Sequence, residues 1–364
     1  MKNKRVVIIG CGRIVGHHLN SILNTKGMEA VAVCDLILEK AAEYAKEFNV
    51  KCFTNYRKML TEIKNIDLVV IATPSGMHYE HAIEIIGKFK KNVVIEKPTF
   101  LRHDQLDEAY LLAETSGVNI FPVFQNRYNK AVKRVKNAID NNELGDLRIF
   151  NVRVRWCRPQ RYYDMSPWRG TYSHDGGALT NQGIHHLDLL RYLGGEIKEV
   201  NSMKATLGSK IEVEDSIVST FSFDNGSIGS LEITTSARPI DYEASISIIG
   251  SKGLAQLGGI AVNKLDVFSP DPGQCKLYSD DFMDLQDRGK VYGRGHSEFY
   301  QDVCKVLFGE YIFPISKEDC MNTISLLHSF YLSAEQKKWI NVKERKFSSF
   351  LGVENNQISN LYRI

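Results

Sequence analysis

The chain has 364 residues, of which 43% are hydrophobic and 24% charged, and its formal net charge is +3. A chain of this length is too long to fold around one small hydrophobic core, so two domains are expected. The small net charge, without a dense basic run interleaved with aromatic residues, argues against a nucleic-acid partner.

The first predicted element is a buried strand that enters a glycine-rich turn. RVVIIG at residues 5–10 is a β-branched apolar run, typical of a parallel strand, and helical sequence follows it. Gly10 can form the tight turn, and Gly12 lets the backbone approach a pyrophosphate. Val15 stands where a third glycine is usual, with Gly16 one position later. The alternative is a glycine-rich turn that serves only packing.

The second strand ends in an acidic residue. AVAVCD at residues 30–35 places Asp35 23 positions after Gly12. An aspartate here accepts hydrogen bonds from the adenosine ribose hydroxyls and repels a 2′-phosphate. Because Leu36 and not an arginine follows, the pattern favours NAD over NADP. The alternative is an ordinary acid at a strand end or helix start.

Strands and helices then alternate as far as VNIFPVF, which predicts a right-handed parallel α/β sheet. Ligands of such sheets bind at the carboxyl ends of the strands, where Pro74 and Pro98 mark the start of loops. Lys97, in the sequence EKP, can there stabilise a developing alkoxide. The alternative is a lysine that binds a phosphate or caps a loop.

Later in the chain, alternating apolar and polar residues predict antiparallel strands in LRIFNVRVRW, in EVEDSIVSTFSFDNGSIGSLEITTS and in EASISIIGSKGLAQL. Asn225-Gly226 predicts a two-residue hairpin loop in which both residues have positive φ angles. Residues 296–339 are predicted to be helical.

DGGALTNQGIHHLDLL at residues 175–190 predicts a helix with Asn181, His185 and Asp188 on one face, at positions i, i+4 and i+7. An imidazole can act as a general base near neutral pH, so His185 is a candidate catalytic residue. Asn181 can hydrogen-bond the substrate or the histidine, and Asp188 can orient the ring. The alternative is a histidine buried in a helix interface, which is how we interpret His186.

The cysteines suggest neither a disulfide framework nor a zinc cluster. Seven occur, and none belongs to a CxxC pair, so we interpret them as small buried residues. The apolar run near the N-terminus is too short for a secretory signal, and no apolar run is long enough to cross a membrane. We therefore expect a cytoplasmic protein that binds neither a metal nor a membrane.

The motifs GCGRI, AVCD, ATPSGMHYEHA, VIEKP, FQNRYN and NQGIHHLDLL occur in one order. With them, nearly the entire chain resembles the Gfo/Idh/MocA family of oxidoreductases. The resemblance implies an α/β fold: a Rossmann domain at residues 1–125, and an α+β domain with a large open, mostly antiparallel sheet at residues 126–364. It implies oxidation or reduction of a sugar or cyclitol hydroxyl with NAD, and a homo-oligomer, dimer or tetramer, formed through the open sheet. Lys97 and His185 take the catalytic roles.

The resemblance also implies which residues bind the two ligands. The cofactor-binding residues are Gly10, Cys11, Gly12, Arg13, Ile14, Asp35, Ala72, Thr73, Pro74, His78, Glu96, Lys97, Arg127, Trp168 and Arg169, the last two from this chain or a neighbouring copy. The substrate-binding residues are Lys97, Asn126, Arg158, Arg161, Tyr163, Asn181 and His185.

An arginine-rich segment precedes the predicted catalytic helix. It holds Arg153, Arg155, Arg158, Arg161 and Arg169, together with Tyr162, Tyr163 and Trp168. An arginine fork can bind a carboxylate or a pyrophosphate, although such arginines also occur on the solvated or subunit-facing side of a strand. Many family members carry an acid where this chain has Asn181. The amide removes a negative charge close to the substrate, which suits a substrate that is itself anionic.

Within the family, RYY, WRGTY and DGGAL are similar to the dehydrogenases of UDP-N-acetyl-glucosaminuronic acid in bacterial surface-polysaccharide pathways. The similarity implies oxidation of the C3 hydroxyl of a sugar nucleotide to a 3-keto product. Three alternatives stay open: a dehydrogenase of a neutral cyclitol or free sugar, an NAD-dependent glycosidase, and a non-catalytic NAD-binding regulator.

Overall fold

Short runs of buried valine and isoleucine form the first sheet. The computed structural model describes residues 2–282 and 292–363. The strands of this sheet are β1 Lys4–Ile9, β2 Met28–Cys34, β3 Lys51–Phe53, β4 Leu68–Ile71, β5 Asn92–Ile95 and β6 Ile120–Pro122. All pairs are parallel, in the order β3-β2-β1-β4-β5-β6. The order reverses between β1 and β4, the position at which open α/β sheets bind ligands.

Helices connect these strands, and the short strand β3 and the helix that follows it were not among the predicted elements. They are α1 Val15–Leu23, α2 Leu38–Phe48, α3 Tyr56–Glu62, α4 His78–Gly87 and α5 His103–Ser116. Gly117 follows the last residue of α5, and its φ of +66° is the left-handed conformation that glycine adopts without a steric penalty. A 3-10 turn at Ser75–Met77 precedes α4.

The second sheet has one buried face. Its strands are β7 Leu147–Arg155, β8 Ile197–Ala205, β9 Ser216–Phe223, β10 Ile228–Thr234, β11 Glu243–Gly250, β12 Leu254–Gly258, β13 Lys264–Phe268 and β14 Ile340–Asn341. Their order is β13-β12-β11-β7-β10-β9-β8-β14, and β7 and β10 form its one parallel pair among the described residues. A Rossmann sheet followed by a mixed, mostly antiparallel sheet confirms the predicted fold class.

The remaining helices lie in the second half of the chain. They are α6 Lys130–Asp140, α7 Gln160–Tyr163, α8 Ala178–Asn181, α9 Ile184–Gly194, α10 Gln274–Tyr278, α11 Gly295–Leu307, α12 Lys317–Gln336 and α13 Asn356–Ser359. Short 3-10 turns occur at Gln125–Tyr128 and Val342–Glu344.

The hairpin between β9 and β10 differs from the prediction. Only Gly226 of the Asn225-Gly226 pair has a positive φ, at +87°. The N–H of Phe223 donates to the carbonyl of Ser227 at 2.9 Å, so the loop has three residues. The Asn225 side chain instead accepts the Ser227 N–H at 3.0 Å. A three-residue loop needs its left-handed residue only at the last position.

The chain forms two compact units. The described residues of the first unit are 2–123, 296–321 and 354–363, and those of the second are 124–282, 292–295 and 322–353. Residues 296–321 and 354–363, predicted for the second domain, thus lie in the first unit. Lys317 pairs with Asp107 of α5 at 2.6 Å, and Arg363 pairs with Glu80 of α4 at 2.9 Å. Periodicity identifies a helix but not the surface that the helix covers.

In the described part of the chain, no helix has both the length and the apolarity of a membrane span.

Candidate active site

The glycine-rich turn after β1 lies close to the end of β4. Gly10 has a φ of +91°, and a Cβ atom there would approach the Ala72 carbonyl oxygen to 2.5 Å, so only glycine fits. A Cβ atom on Gly12 would meet no atom within 4 Å. Arg13 and Ile14 follow the turn, and no side chain caps the start of α1 at Ile14. This open turn at a helix N-terminus fits the pyrophosphate of a dinucleotide.

Asp35 stands at the end of β2 with its carboxylate fixed by the backbone. Oδ2 accepts the Cys11 N–H at 2.7 Å, and Oδ1 accepts the Ile37 N–H at 2.9 Å. Each oxygen keeps a lone pair that can accept a ribose hydroxyl. Asp35 therefore shapes the local backbone and also fits the predicted ribose contact. Burial, together with Asp35, raises the pKa of the Cys11 thiol, which stays neutral.

His78 connects the loops that follow β4 and β5. Its Nδ1 lies 2.9 Å from the Pro98 carbonyl oxygen, and its Nε2 lies 2.9 Å from that of Thr73. The ring is 1% exposed, and burial lowers its pKa, so the imidazole is neutral and donates one N–H. His78, predicted at the cofactor, thus contacts the backbone of both loops, at Thr73 and at Pro98. The contact with the cofactor stays a prediction.

Glu96 and Lys97 follow β5. One Glu96 carboxylate oxygen lies 3.0 Å from His18 Nε2 and 3.7 Å from His296 Nε2, and the other accepts the Lys97 N–H at 3.1 Å. Burial would raise the pKa of Glu96, but the interactions with His18 and His296 hold it well below its ordinary value. Glu96, predicted as a cofactor-binding residue, therefore carries a charge that the histidines stabilise.

In the second unit, a buried ion pair joins the Gln125–Tyr128 turn to α9. Arg127 donates from Nε to Asp188 at 2.8 Å and from Nη2 at 2.6 Å. Arg127 is 8% exposed and Asp188 1% exposed. The arginine predicted to bind the cofactor and the aspartate predicted to orient His185 thus hold each other.

His185 lies in the first turn of α9, 7% exposed. The amide nitrogen of Gln125 lies 3.1 Å from His185 Nε2, and the Phe124 ring meets the imidazole edge-on at 6.3 Å between centroids. Sequence reasoning missed Gln125, although it precedes Asn126 and Arg127 in FQNRYN. Asn126 is buried in the same turn. His185 and Gln125 thus contact each other within this unit.

The predicted continuous helix is broken between Asn181 and His185. α8 ends at Asn181 and α9 begins at Ile184. A Cβ atom on Gly183 would lie 2.5 Å from the side chain of Ile233 and 2.7 Å from the Leu179 carbonyl oxygen, so glycine permits this close turn. Asn181 and His185 therefore do not share one regular helix face.

A negative charge lies next to Asn181 although the residue itself is uncharged. Its side-chain amide donates to Asp175 Oδ1, and Asp175 Oδ2 accepts the Gly170 N–H at 2.7 Å. Asp175 is 2% exposed. The absence of an acid at position 181 is thus a weaker sign of an anionic substrate than the sequence suggested.

The arginine-rich segment divides into paired and stacked side chains. Arg155 pairs with Glu232 at 2.7 Å, and Arg158 pairs with Asp241 at 2.8 Å. Arg161 is exposed on α7. The Tyr163 hydroxyl lies 2.9 Å from Thr235 Oγ1, and both residues are buried. Arg158 and Tyr163, predicted to bind substrate, thus have protein partners.

Arg169 differs from Arg155 and Arg158 because its guanidinium lies over two aromatic rings. The distance to the ring centroid is 4.3 Å for Tyr162 and 4.7 Å for Trp168. Among residues 2–282 and 292–363, no carboxylate pairs with this guanidinium. Such a stacked, unneutralised cation fits an anionic group.

His186, interpreted from the sequence as a structural residue, has a side chain whose burial agrees with that interpretation. It is fully buried and meets the Trp156 ring edge-on at 6.1 Å between centroids. Burial lowers its pKa to about 4, so the ring is neutral at physiological pH.

Comparisons with known proteins decide the family. The family described as "Oxidoreductase family, NAD-binding Rossmann fold" matches residues 4–124, and "GFO/IDH/MocA C-terminal domain" matches residues 132–256. The crystal structure of the WlbA dehydrogenase from Bordetella pertussis is 33% identical, with a TM-score of 0.86 over 93% of this chain and 98% of that chain. The chain belongs to the Gfo/Idh/MocA family of oxidoreductases.

Other relatives of this Gfo/Idh/MocA member act on several kinds of sugar. The WlbA dehydrogenase from Chromobacterium violaceum is 30% identical, with a TM-score of 0.82 over 94% of this chain and 96% of that chain. Both WlbA structures contain NADH and UDP-GlcNAcA. Glucose-6-phosphate 3-dehydrogenase of Bacillus subtilis is 28% identical over 68% of this chain and 73% of its own length. Inositol dehydrogenases are also among the relatives.

Membership confirms three predictions made from the sequence. The protein is an oxidoreductase, its first unit is a Rossmann domain, and its cofactor is NAD. Gly10, Gly12 and Asp35 would hold the pyrophosphate and the ribose, because the turn has the required room and the carboxylate has free lone pairs.

Proposed function

We propose that the protein oxidises the C3 hydroxyl of UDP-N-acetyl-glucosaminuronic acid, giving a 3-keto sugar nucleotide. The observation that carries this proposal is the 33% identity to the WlbA dehydrogenase of Bordetella pertussis over 93% of the chain, since that enzyme was crystallised with NADH and UDP-GlcNAcA. Arg169, which lies over Tyr162 and Trp168 and has no carboxylate partner among the described residues, supports a substrate or cofactor with anionic groups.

In the proposed reaction, His185 accepts the proton of the C3 hydroxyl, and the Lys97 ammonium stabilises the alkoxide that develops. Bound NAD+ supplies the hydride acceptor for C3. The Gln125 amide donates to His185 Nε2 across 3.1 Å and orients the imidazole, and this hydrogen bond breaks when Nε2 takes the proton. Asn126, Arg161 and Asn181 are assigned to the substrate.

The test measures NADH formation at 340 nm with UDP-sugars, UDP-uronates, glucose 6-phosphate and inositols. We expect the highest kcat/KM with UDP-N-acetyl-glucosaminuronic acid, and a large loss when the uronate or the UDP group is absent. Lys97→Ala and His185→Ala should abolish turnover while leaving NAD binding largely intact. Full activity in both variants contradicts the assignment.

A dehydrogenase of a free sugar, sugar phosphate or cyclitol is the second candidate, favoured by the glucose 6-phosphate and inositol relatives. It predicts equal or higher activity without the UDP group. An NAD-dependent glycosidase would cleave an aryl glycoside with no net NADH. A regulator would bind NAD without any turnover.

A further inference from the structure

A series of buried polar contacts within the first unit ends at Lys97. The Tyr300 hydroxyl lies 2.7 Å from His18 Nδ1, and His18 Nε2 lies 3.0 Å from Glu96 Oε1. Glu96 Oε2 accepts the Lys97 N–H at 3.1 Å. His18 and Tyr300 are fully buried, and Glu96 is 7% exposed. Residues of α1, α11 and the end of β5 thus meet around one carboxylate.

The chemistry of these groups fixes the direction of each hydrogen bond. Interactions with His18 and His296 hold the pKa of Glu96 low despite its burial, so the carboxylate is ionised and can only accept. His18 therefore donates from Nε2. In the tautomer whose Nε2 carries the proton, Nδ1 accepts the Tyr300 O–H at 2.7 Å. Tyr300 thereby selects the His18 tautomer that can hold Glu96.

His296, on α11, supports the same carboxylate from a second direction. Its Nε2 lies 3.7 Å from Glu96 Oε1, and its ring meets that of His18 edge-on at 5.1 Å between centroids. The residue is 2% exposed. A buried carboxylate with two imidazoles beside it has little freedom to rotate.

We propose that His18, fixed by Tyr300 and supported by His296, positions Lys97 through Glu96. This inference rests on the proposed function, in which Lys97 stabilises the alkoxide. The carboxylate holds the Lys97 N–H and so determines where the ammonium side chain leaves the backbone. A misplacement of about 1 Å near a reacting centre can cost about 100-fold in rate. His18, His296 and Tyr300 act through Glu96 and are positioning residues.

Paired substitutions at His18 test this role in the full-length protein. His18→Leu removes the donor, whereas His18→Gln places an amide N–H near the position of Nε2. We expect kcat to fall about tenfold or more in His18→Leu and about threefold or less in His18→Gln, with KM for NAD+ nearly unchanged. His328, buried in the second unit with Nδ1 3.1 Å from the Ser348 N–H, is the control. His328→Leu should lower the melting temperature without this loss of kcat.

A double-mutant cycle separates positioning from a general loss of packing. In a Lys97→Arg background the side chain already has a different length and shape, so His18→Leu should cost less than about twofold in kcat. If His18→Leu lowers kcat by the same factor in the Lys97→Arg background as in the otherwise unchanged protein, the proposal is overturned. A His18→Leu variant with the kcat of wild type would also overturn it. One equivalent of zinc in the purified protein, lost in both His18→Leu and His296→Leu, would also overturn it, because the cluster would then be a metal site.

The proposed function has a separate test. Lys97→Met with wild-type turnover would show that the lysine has no role in the reaction, whatever His18 does. An inactive Lys97→Met together with a fully active His18→Leu would contradict the positioning role alone.

Discussion

At the scale of single residues, the two glycines of the first turn should differ in what they support. Gly10→Ala places a Cβ atom 2.5 Å from the Ala72 carbonyl oxygen at a φ of +91°, so it should lower both the melting temperature and the affinity for NADH. Gly12→Ala meets no protein atom within 4 Å, so it should leave the melting temperature unchanged and weaken NADH binding. Thermal unfolding and NADH fluorescence titration check both.

The contrast between the two variants is the informative result. Unchanged NADH affinity in Gly12→Ala would show that the open side of the turn does not face the pyrophosphate. Unchanged stability in Gly10→Ala would contradict the close approach of the two loops.

Glu214 should make stability depend on pH. It is 2% exposed, and burial raises its pKa to about 7, although it accepts the Tyr331 O–H at 2.8 Å and the Leu179 N–H at 3.1 Å. The folded protein therefore binds the proton of the Glu214 carboxyl more tightly than the unfolded chain does. The stabilisation that this proton gives the folded state is fully present below about pH 4.5 and is lost as the pH rises through about 7.

Glu214→Gln imitates the protonated carboxyl and tests that sign. Relative to wild type, its free energy of unfolding should rise with pH between about 5 and 8, by on the order of 3 kcal/mol. Urea unfolding of both proteins across this range measures the difference. Parallel pH profiles would contradict the prediction.

At the scale of secondary-structure elements, the Arg127–Asp188 pair should stabilise the contact between the Gln125–Tyr128 turn and α9. Asp188→Leu leaves a buried guanidinium without its carboxylate and should cost about 3–5 kcal/mol in unfolding free energy. Adding Arg127→Met should restore part of this loss, because no buried charge is then left. Chemical denaturation measures each variant.

The exposed i,i+4 pair Lys58–Glu62 is the matched control for the buried pair. Glu62→Gln should cost less than about 1 kcal/mol, since solvent screens exposed charges. A loss of similar size at both pairs would show that burial does not determine the cost.

The sequence predicted those elements whose causes are local. Valine and isoleucine runs located β1, β4 and β5, and the strand ends carrying Asp35 and Lys97 followed from the alternation. The break before Ile184 was not predictable, because it depends on the close approach of Gly183 to Ile233, a residue of β10. His296 beside Glu96 is likewise a tertiary contact without any local pattern.

At the scale of the whole molecule, the outer face of the second sheet carries exposed apolar residues. Met203 of β8 and Val218 of β9 pair across the two strands and are 76% and 58% exposed, and Ile228 of β10 is 58% exposed. Large apolar side chains exposed on one face of a sheet are typical of an interface. We therefore predict a homo-oligomer formed through this face.

Charges placed on that face should dissociate the oligomer. In Met203→Glu/Val218→Glu, bringing two copies together would bury unpaired carboxylates, so light scattering after gel filtration should report the monomer mass, against a dimer or tetramer for wild type. Leu111→Glu is the control, because Leu111 is 62% exposed on α5 of the other unit. A monomeric wild type, or an oligomer unaffected by both glutamates, would place the interface elsewhere. If Arg169 also binds the NAD of a neighbouring copy, the monomeric variant should bind NADH more weakly than wild type. Leu111→Glu should leave the NADH affinity unchanged.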